Sequence, residues 1–232
     1  GRIVEAIKVA KEAGISVQTS TVTQDPETDQ DEPITEAARF ESGSASRSES
    51  MTVPQERRWA AIYRPVELPA VNWPSEAFLL PGYRKTIEQQ IISVVEGEGP
   101  ISRSLLLRKV LQAWGITRAG SRISAYFDRL LKSMRLNRTV WGGNVFYWPS
   151  RLDSMQYEVY RVAEDEHNRR VAEDLPPEEI ANAIREVLFM QGSVPVEDII
   201  RETVRLLGYS RTGSALEKAV DLGIRCAQKR GF

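Results

Sequence analysis

A chain of 232 residues, 41% apolar and 27% charged, has enough apolar side chains for one or two packed cores, which excludes a wholly disordered protein. No stretch approaches the roughly 20 apolar residues that a bilayer crossing needs. The N-terminus lacks a secretory pattern, and the single cysteine, Cys226, excludes an internal disulfide and any multi-cysteine zinc cluster. The net charge of −1 conceals a division by segment: residues 1–60 carry −4, 61–99 −2, 151–175 −3 and 176–232 zero. Residues 100–150 set nine basic side chains against Asp128 alone, a net +8. These features together predict a soluble, cytoplasmic protein with one strongly basic region.

Residues 1–15 place Ile3, Ile7 and Ala10 at helical spacing before Gly14, which predicts the last helix of a preceding domain and a chain that is a fragment. Residues 16–58 are rich in Ser, Thr, Gln, Asp and Glu and offer too little apolar surface to offset ordering entropy. They read as a flexible acidic linker. Residues 59–82 set Trp59, Tyr63, Trp73 and Phe78 among Pro65, Pro69, Pro74 and Pro81, the composition of an extended arm anchored by aromatics on the following domain.

A first unit is expected over 83–150. Ile87, Ile91, Val94 and Val95 give a helix ending at Gly97 and Gly99. Ser102 is a candidate N-cap for a second helix that buries Leu106, Leu107, Val110, Leu111 and Trp114 before Gly115 closes it. After a tight turn, a third helix from about Gly120 to Met134 turns Ile123, Phe127, Leu130 and Met134 inward. Thr139–Trp148 then reads as a hairpin with Gly142, Gly143 and Asn144 at its tip. Three helices and a hairpin describe a winged helix, a mainly α fold with a small β-hairpin wing (α+β).

Residues 151–175 are charged and predict a connecting helix. Beyond them, residues 180–227 repeat residues 87–134 at a constant offset of 93, with ten of 48 positions identical. The densest match sets Gly115-Ile-Thr-Arg-Ala-Gly-Ser121 against Gly208-Tyr-Ser-Arg-Thr-Gly-Ser214. Unrelated amphipathic helices would share apolar spacing but not such a turn. The repeat predicts a second winged helix over 176–232, with its wing absent or truncated, and hence tandem helix-turn-helix units.

The basic region is the strongest functional signal. In a helix-turn-helix the third helix enters the major groove, with basic side chains on phosphates. Arg122, Arg129 and Ser133 fall opposite Phe127 and Leu130, while Arg118 and Ser121 precede or open the helix and Lys132 adds charge. Arg135 and Arg138 stand at the hairpin's root and Asn144 at its tip. These nine residues are the candidate nucleic-acid contacts. A solvated face, or a face gripping acidic protein, is the alternative. The second copy substitutes Ala215 for Arg122, Leu222 or Gly223 for Arg129, and Glu202 for Lys109. Its face is neutral and suits protein docking, including a homodimer contact. The matched Arg118 and Arg211 are also candidates for pinning the turn. Trp141, Phe146, Tyr147 and Trp148 could stack bases or pack the wing.

Catalysis finds little support. His167 is the only histidine and sits in a charged stretch, and the chain has no Ser/His/Asp set, no phosphate-binding glycine loop and no His/Cys cluster. No catalytic residue, metal or cofactor is expected. Tyr83–Trp148, with Glu-Gly-Glu-Gly-Pro-Ile at 96–101, Ala-Trp-Gly at 113–115 and Arg-Ala-Gly-Ser-Arg-Ile at 118–123, resembles an uncharacterised C-terminal domain. That domain belongs to large bacterial proteins joining a superfamily-one helicase to a very-short-patch-repair-like endonuclease. The resemblance covers residues 70–150 well and the second copy less distinctly. It implies a parent that hydrolyses ATP, moves on DNA and cuts it, with a nuclease preceding this region. No helicase or nuclease motif is present, so the expectation is a non-catalytic accessory region binding duplex or junction DNA beside the parent's own domains.

Overall fold

A computed structural model of the chain describes residues 57–232. The helix expected at 1–15 and all but the end of the linker expected at 16–58 lie outside the described residues. The chain is mainly helical with two small sheets. Its elements run β1 (Ala60–Tyr63), α1 (Arg84–Glu98), β2 (Ile101–Ser102), α2 (Arg103–Ala113), α3 (Ser121–Met134), β3 (Asn137–Trp141), β4 (Asn144–Trp148), β5 (Tyr160–Ala163), α4 (Pro177–Gln191), α5 (Val196–Leu206) and α6 (Ser214–Lys229). Short 3-10 turns stand at Ser75–Leu79, Pro81–Tyr83 and Ala172–Asp174.

The 93-residue offset reappears in the element bounds. Both ends of α1 and α4, and both ends of α2 and α5, differ by 93, and α3 and α6 begin 93 apart. The turns agree as well. Gly115 and Gly208 both take positive φ, 65° and 89°, conformations that a side chain would strain. Gly120 and Gly213 then stand at the N-caps of α3 and α6.

Local chemistry accounts for the first unit. The Ser102 hydroxyl accepts from the Leu105 N–H at 3.0 Å and caps α2. Gly97 lies inside α1 rather than ending it, and a Cβ there would meet Val66 Cγ2 at 2.7 Å, so this glycine admits the arm. In the hairpin, Gly142 and Gly143 take φ of 55° and 85°, the two positive values of a two-residue turn, and Asn144 opens β4 opposite Trp141. Strand β2 pairs antiparallel with β4, giving a three-stranded sheet in the order β2-β4-β3 with β3 at the edge. Phe78, Ile87, Ile91, Val94, Leu106, Val110 and Phe127, all fully buried, form the first core.

The second core is organised by α4, which is buried along most of its length. Gly223 of α6 permits a close crossing, since a Cβ there would lie 2.7 Å from Ile180 Cβ. Two expectations are corrected here. Residues 151–175 contain no α-helix: the segment forms β5, which pairs in parallel with β1 from Ala60↔Tyr160 to Tyr63↔Ala163. Tyr160 and Val162 are buried by period-two alternation, which a charge count conceals. The arm also serves both units. Trp59 and Ala60 pack on the second core, whereas Val66, Leu68, Val71 and Phe78 join the first.

Buried charge locks the units together. Glu179, fully buried near the N-terminus of α4, accepts from Arg170 at 2.9 and 2.8 Å and from Arg161 Nε at 2.9 Å. Arg161 also donates to the Pro100 carbonyl at 2.7 Å and to the Glu98 carbonyl, so one guanidinium joins the end of α1 to the start of α4. Burial alone would raise the Glu179 carboxyl, but Arg161 and Arg170 hold it down to about 2. Glu98 accepts from Val66 N–H at 2.7 Å and the Tyr63 hydroxyl and pairs with Lys109 at 2.9 Å. Asp174 binds the Ser102 hydroxyl and Arg108.

Candidate nucleic-acid interface

Helix α3 divides into two faces. At about 100° per residue, Phe127, Leu130 and Leu131 fall within one stripe, and Arg122, Ala125, Arg129, Lys132 and Ser133 fall within the opposite one, with Arg118 in the turn before the helix. The structure bears out the division: the first set is buried and the second exposed. The helix ends where Arg135 takes φ 52°, ψ 39°, the only non-glycine residue with positive φ among those described. That turn directs the chain into β3.

The nine basic residues of the region separate into two groups. Arg103 is held by Asp128 at 2.8 Å and by the Ser124 hydroxyl at 2.6 Å, Arg108 by Asp174, and Lys109 by Glu98 and the Val66 carbonyl. These three are spent on the fold. Arg118, Arg122, Arg129, Lys132, Arg135 and Arg138 are all exposed and make no ion pair among the described residues. Asp128, the one acid of the region, is neutralised by Arg103. An uncompensated group of six cations thus covers α3 and the adjoining strand. Arg129 lies over the Tyr126 ring at 6.0 Å, which stiffens the middle of the row.

Strand β3 carries Arg138 on the face of the sheet that holds Tyr147. It stands opposite Tyr147, whose hydroxyl is pushed up by burial while the Arg138, Asp128 and Arg103 charges act on it. Val140, two residues on, is 59% exposed.

The remaining candidates are less uniform. Ser121 is exposed at the first turn of α3. Ser133 is exposed but engaged, its hydroxyl donating to the Leu130 carbonyl at 2.8 Å and accepting from Arg84 at 3.0 Å. Asn144 is exposed, but it belongs to a hairpin end that lies against the second unit. Arg118 and Arg211 make no hydrogen bond among the described residues, which overturns their expected role in pinning the two turns. Phe146, Tyr147 and Trp148 are buried and offer no stacking platform. His167 is exposed, while Cys226 is buried with its thiol pushed up to about 12.

The hairpin has a second neighbour that the sequence does not announce. Trp141 packs on the second core and donates its indole N–H to Glu178 at 2.8 Å. Lys229 stands 5.4 Å from its ring. A Cβ at Gly142 would meet Leu222 of α6 at 3.1 Å. The neutral face of the second copy, an expected homodimer contact, is therefore covered in part by the same chain. The buried acids at the unit junction, Glu98, Asp174, Glu178 and Glu179, are not singled out by the sequence. Only the pairing of Pro176–Pro177 with two consecutive glutamates hinted that a helix start would hold them.

No group of three or more His, Cys, Asp or Glu suited to a metal occurs among the described residues, and none of their helices is long and apolar enough to cross a membrane. No curated protein and no solved structure matches the chain. A family model described as a protein of unknown function (DUF3320) matches residues 76–125, from the 3-10 turn at Ser75–Leu79 through α1 and α2 into the first turns of α3.

Proposed function

We propose that residues 84–148 form a winged helix whose third helix binds the phosphate backbone of DNA, as a non-catalytic accessory region of a larger bacterial helicase–endonuclease. On this reading, residues 177–229 belong to a second unit of the same kind. The observation that carries the proposal is the row of six exposed cations on α3 and β3, free of ion pairs among the described residues. Six uncompensated like charges create a positive potential that draws anions, and a duplex offers phosphates at regular spacing. Arginine predominates, five of the six, and its planar fork suits phosphate. The contact positions rather than reads, because small Ser121 and Ala125 stand where base-reading side chains would be needed.

One observation favours a second reading, docking onto acidic protein: the corresponding face of α6 receives protein, namely the hairpin. The two faces differ in chemistry, apolar in α6 and cationic in α3, so their ligands should differ too. Reversing three charges, Arg122→Glu, Arg129→Glu and Lys132→Glu, separates the readings. The proposal expects duplex affinity at low salt to fall by at least about a hundredfold through loss of three phosphate contacts. Unchanged affinity would reject it in favour of docking, which binding to the parent's helicase and nuclease domains would then test.

A further inference from the structure

At the 93-residue offset, Arg122, Arg129 and Ser133 of α3 correspond to Ala215, Leu222 and Cys226 of α6. Leu222 meets the first unit's hairpin at Gly142, and Ala215 and Cys226 flank it. Ala215 and Leu222 line a cleft with Gly142, Asn144 and Phe146, and Cys226 lines another with Thr139 and Trp141. At Arg122 and Arg129 the second copy has thus exchanged charge for apolar side chains beside the hairpin, while Arg118 and Lys132 keep basic counterparts in Arg211 and Arg225.

We infer that the second unit is a brace for the hairpin: it holds the tip against α6 and out of the nucleic-acid contact, and sets Arg138 of β3 beside the cationic row of α3. This rests on the nucleic-acid reading above. Strand β2 pairs with β4 only at Tyr147 and Phe146, so the hairpin beyond them is a two-stranded ribbon, marginal alone in water, and β3 is an edge strand with no neighbour on its outer side. Support has to come from elsewhere. It comes from Trp141, which is held by Glu178 and packed on the second core, and from Leu222 against Gly142. Undocking would release Arg138 and loosen Arg135 at the root, while Arg118, Arg122, Arg129 and Lys132 would stay fixed on or before their helix. The brace therefore governs part of the contact and the helix the rest.

The test uses the whole chain, with Leu222→Glu to undock the hairpin and Asn144→Glu to probe the tip. Hydrogen exchange reports docking at the β3 and β4 amides. Duplex affinity over a salt series reports the number of phosphates engaged, which a general loss of folded protein would not alter. For Leu222→Glu the inference expects faster exchange in the hairpin, affinity about threefold to tenfold weaker, and a log–log salt slope shallower by about one to two. For Asn144→Glu it expects affinity within about twofold of the parent chain. An undocked hairpin with parental affinity and slope would overturn it, as would a tenfold or greater loss (about one order) on Asn144→Glu. If circular dichroism shows Leu222→Glu unfolded, Trp141→Phe, which removes only the bond to Glu178, takes its place with the same expected signs. Failure of the underlying reading looks different: the parent chain itself would not bind duplex, or the triple reversal would bind as well as the parent.

Discussion

Arg170 and Glu179 form a two-point ion pair at 2.9 and 2.8 Å in the interior, and neither side chain reaches solvent appreciably. With Arg161 on the same carboxylate, the pair ties β5 and α4 to the end of α1. Its sign against pH follows from the carboxyl being held at about 2 rather than its ordinary 4.5. A depressed acid contributes stability above the unfolded value and loses it as pH falls from 4.5 towards 2. The contribution is of the order of 3 kcal/mol. Urea unfolding at a series of pH values should show that loss. Glu179→Gln should cost about 3–5 kcal/mol at neutral pH by leaving two buried guanidinium groups uncompensated, and should flatten the acid transition.

Gly223 is the point where α6 crosses α4. With Ile180 Cβ only 2.7 Å from where a Cβ would stand, Gly223→Ala forces the helices apart despite alanine's better helix propensity. Denaturant titration should show a loss of about 1–3 kcal/mol. A gain would mean that the crossing yields readily.

Phe78 tests whether the arm belongs to the first core. It is fully buried and meets Trp114 and Tyr126 edge to face at 5.3 and 6.0 Å. Phe78→Ala should cost about 3–5 kcal/mol, as a core truncation does and a peripheral one does not.

The helices were legible because apolar spacing governs both their formation and their burial. Ile87, Ile91 and Val94 fall on the buried face of α1, and Ser102 caps α2 through its hydroxyl. The exposed cations of α3 were legible for the same reason, since a helix that buries Phe127 and Leu130 must present Arg122 and Arg129 to water. The junction was not. Arg161 and Glu98 are 63 residues apart, and Trp141 and Glu178 are 37 apart, so no local pattern joins them. A charged stretch such as 151–175 looks solvated until buried partners appear. The hairpin's exposure was misjudged likewise: its own residues describe a wing, whereas Leu222 and Glu178 decide where its tip rests.

Arg135 combines strain with exposure. A non-glycine residue in the left-handed region costs roughly 1 kcal/mol, and its side chain contributes no ion pair to the fold among the described residues. Arg135→Gly should therefore stabilise the chain by about 0.5–1 kcal/mol while weakening duplex binding and making the salt slope shallower by about one. Opposite signs in the two measurements would identify a residue kept for binding at the expense of stability.

The α3 row is proposed to bind nucleic-acid backbone. Fluorescence anisotropy of the chain titrated onto labelled duplex, forked and single-stranded DNA at several salt concentrations tests it most directly. Micromolar or tighter binding to duplex or fork is expected, with a log–log salt slope between about −3 and −5 for most of six cations engaged. No binding to any of these DNAs at low salt would contradict it.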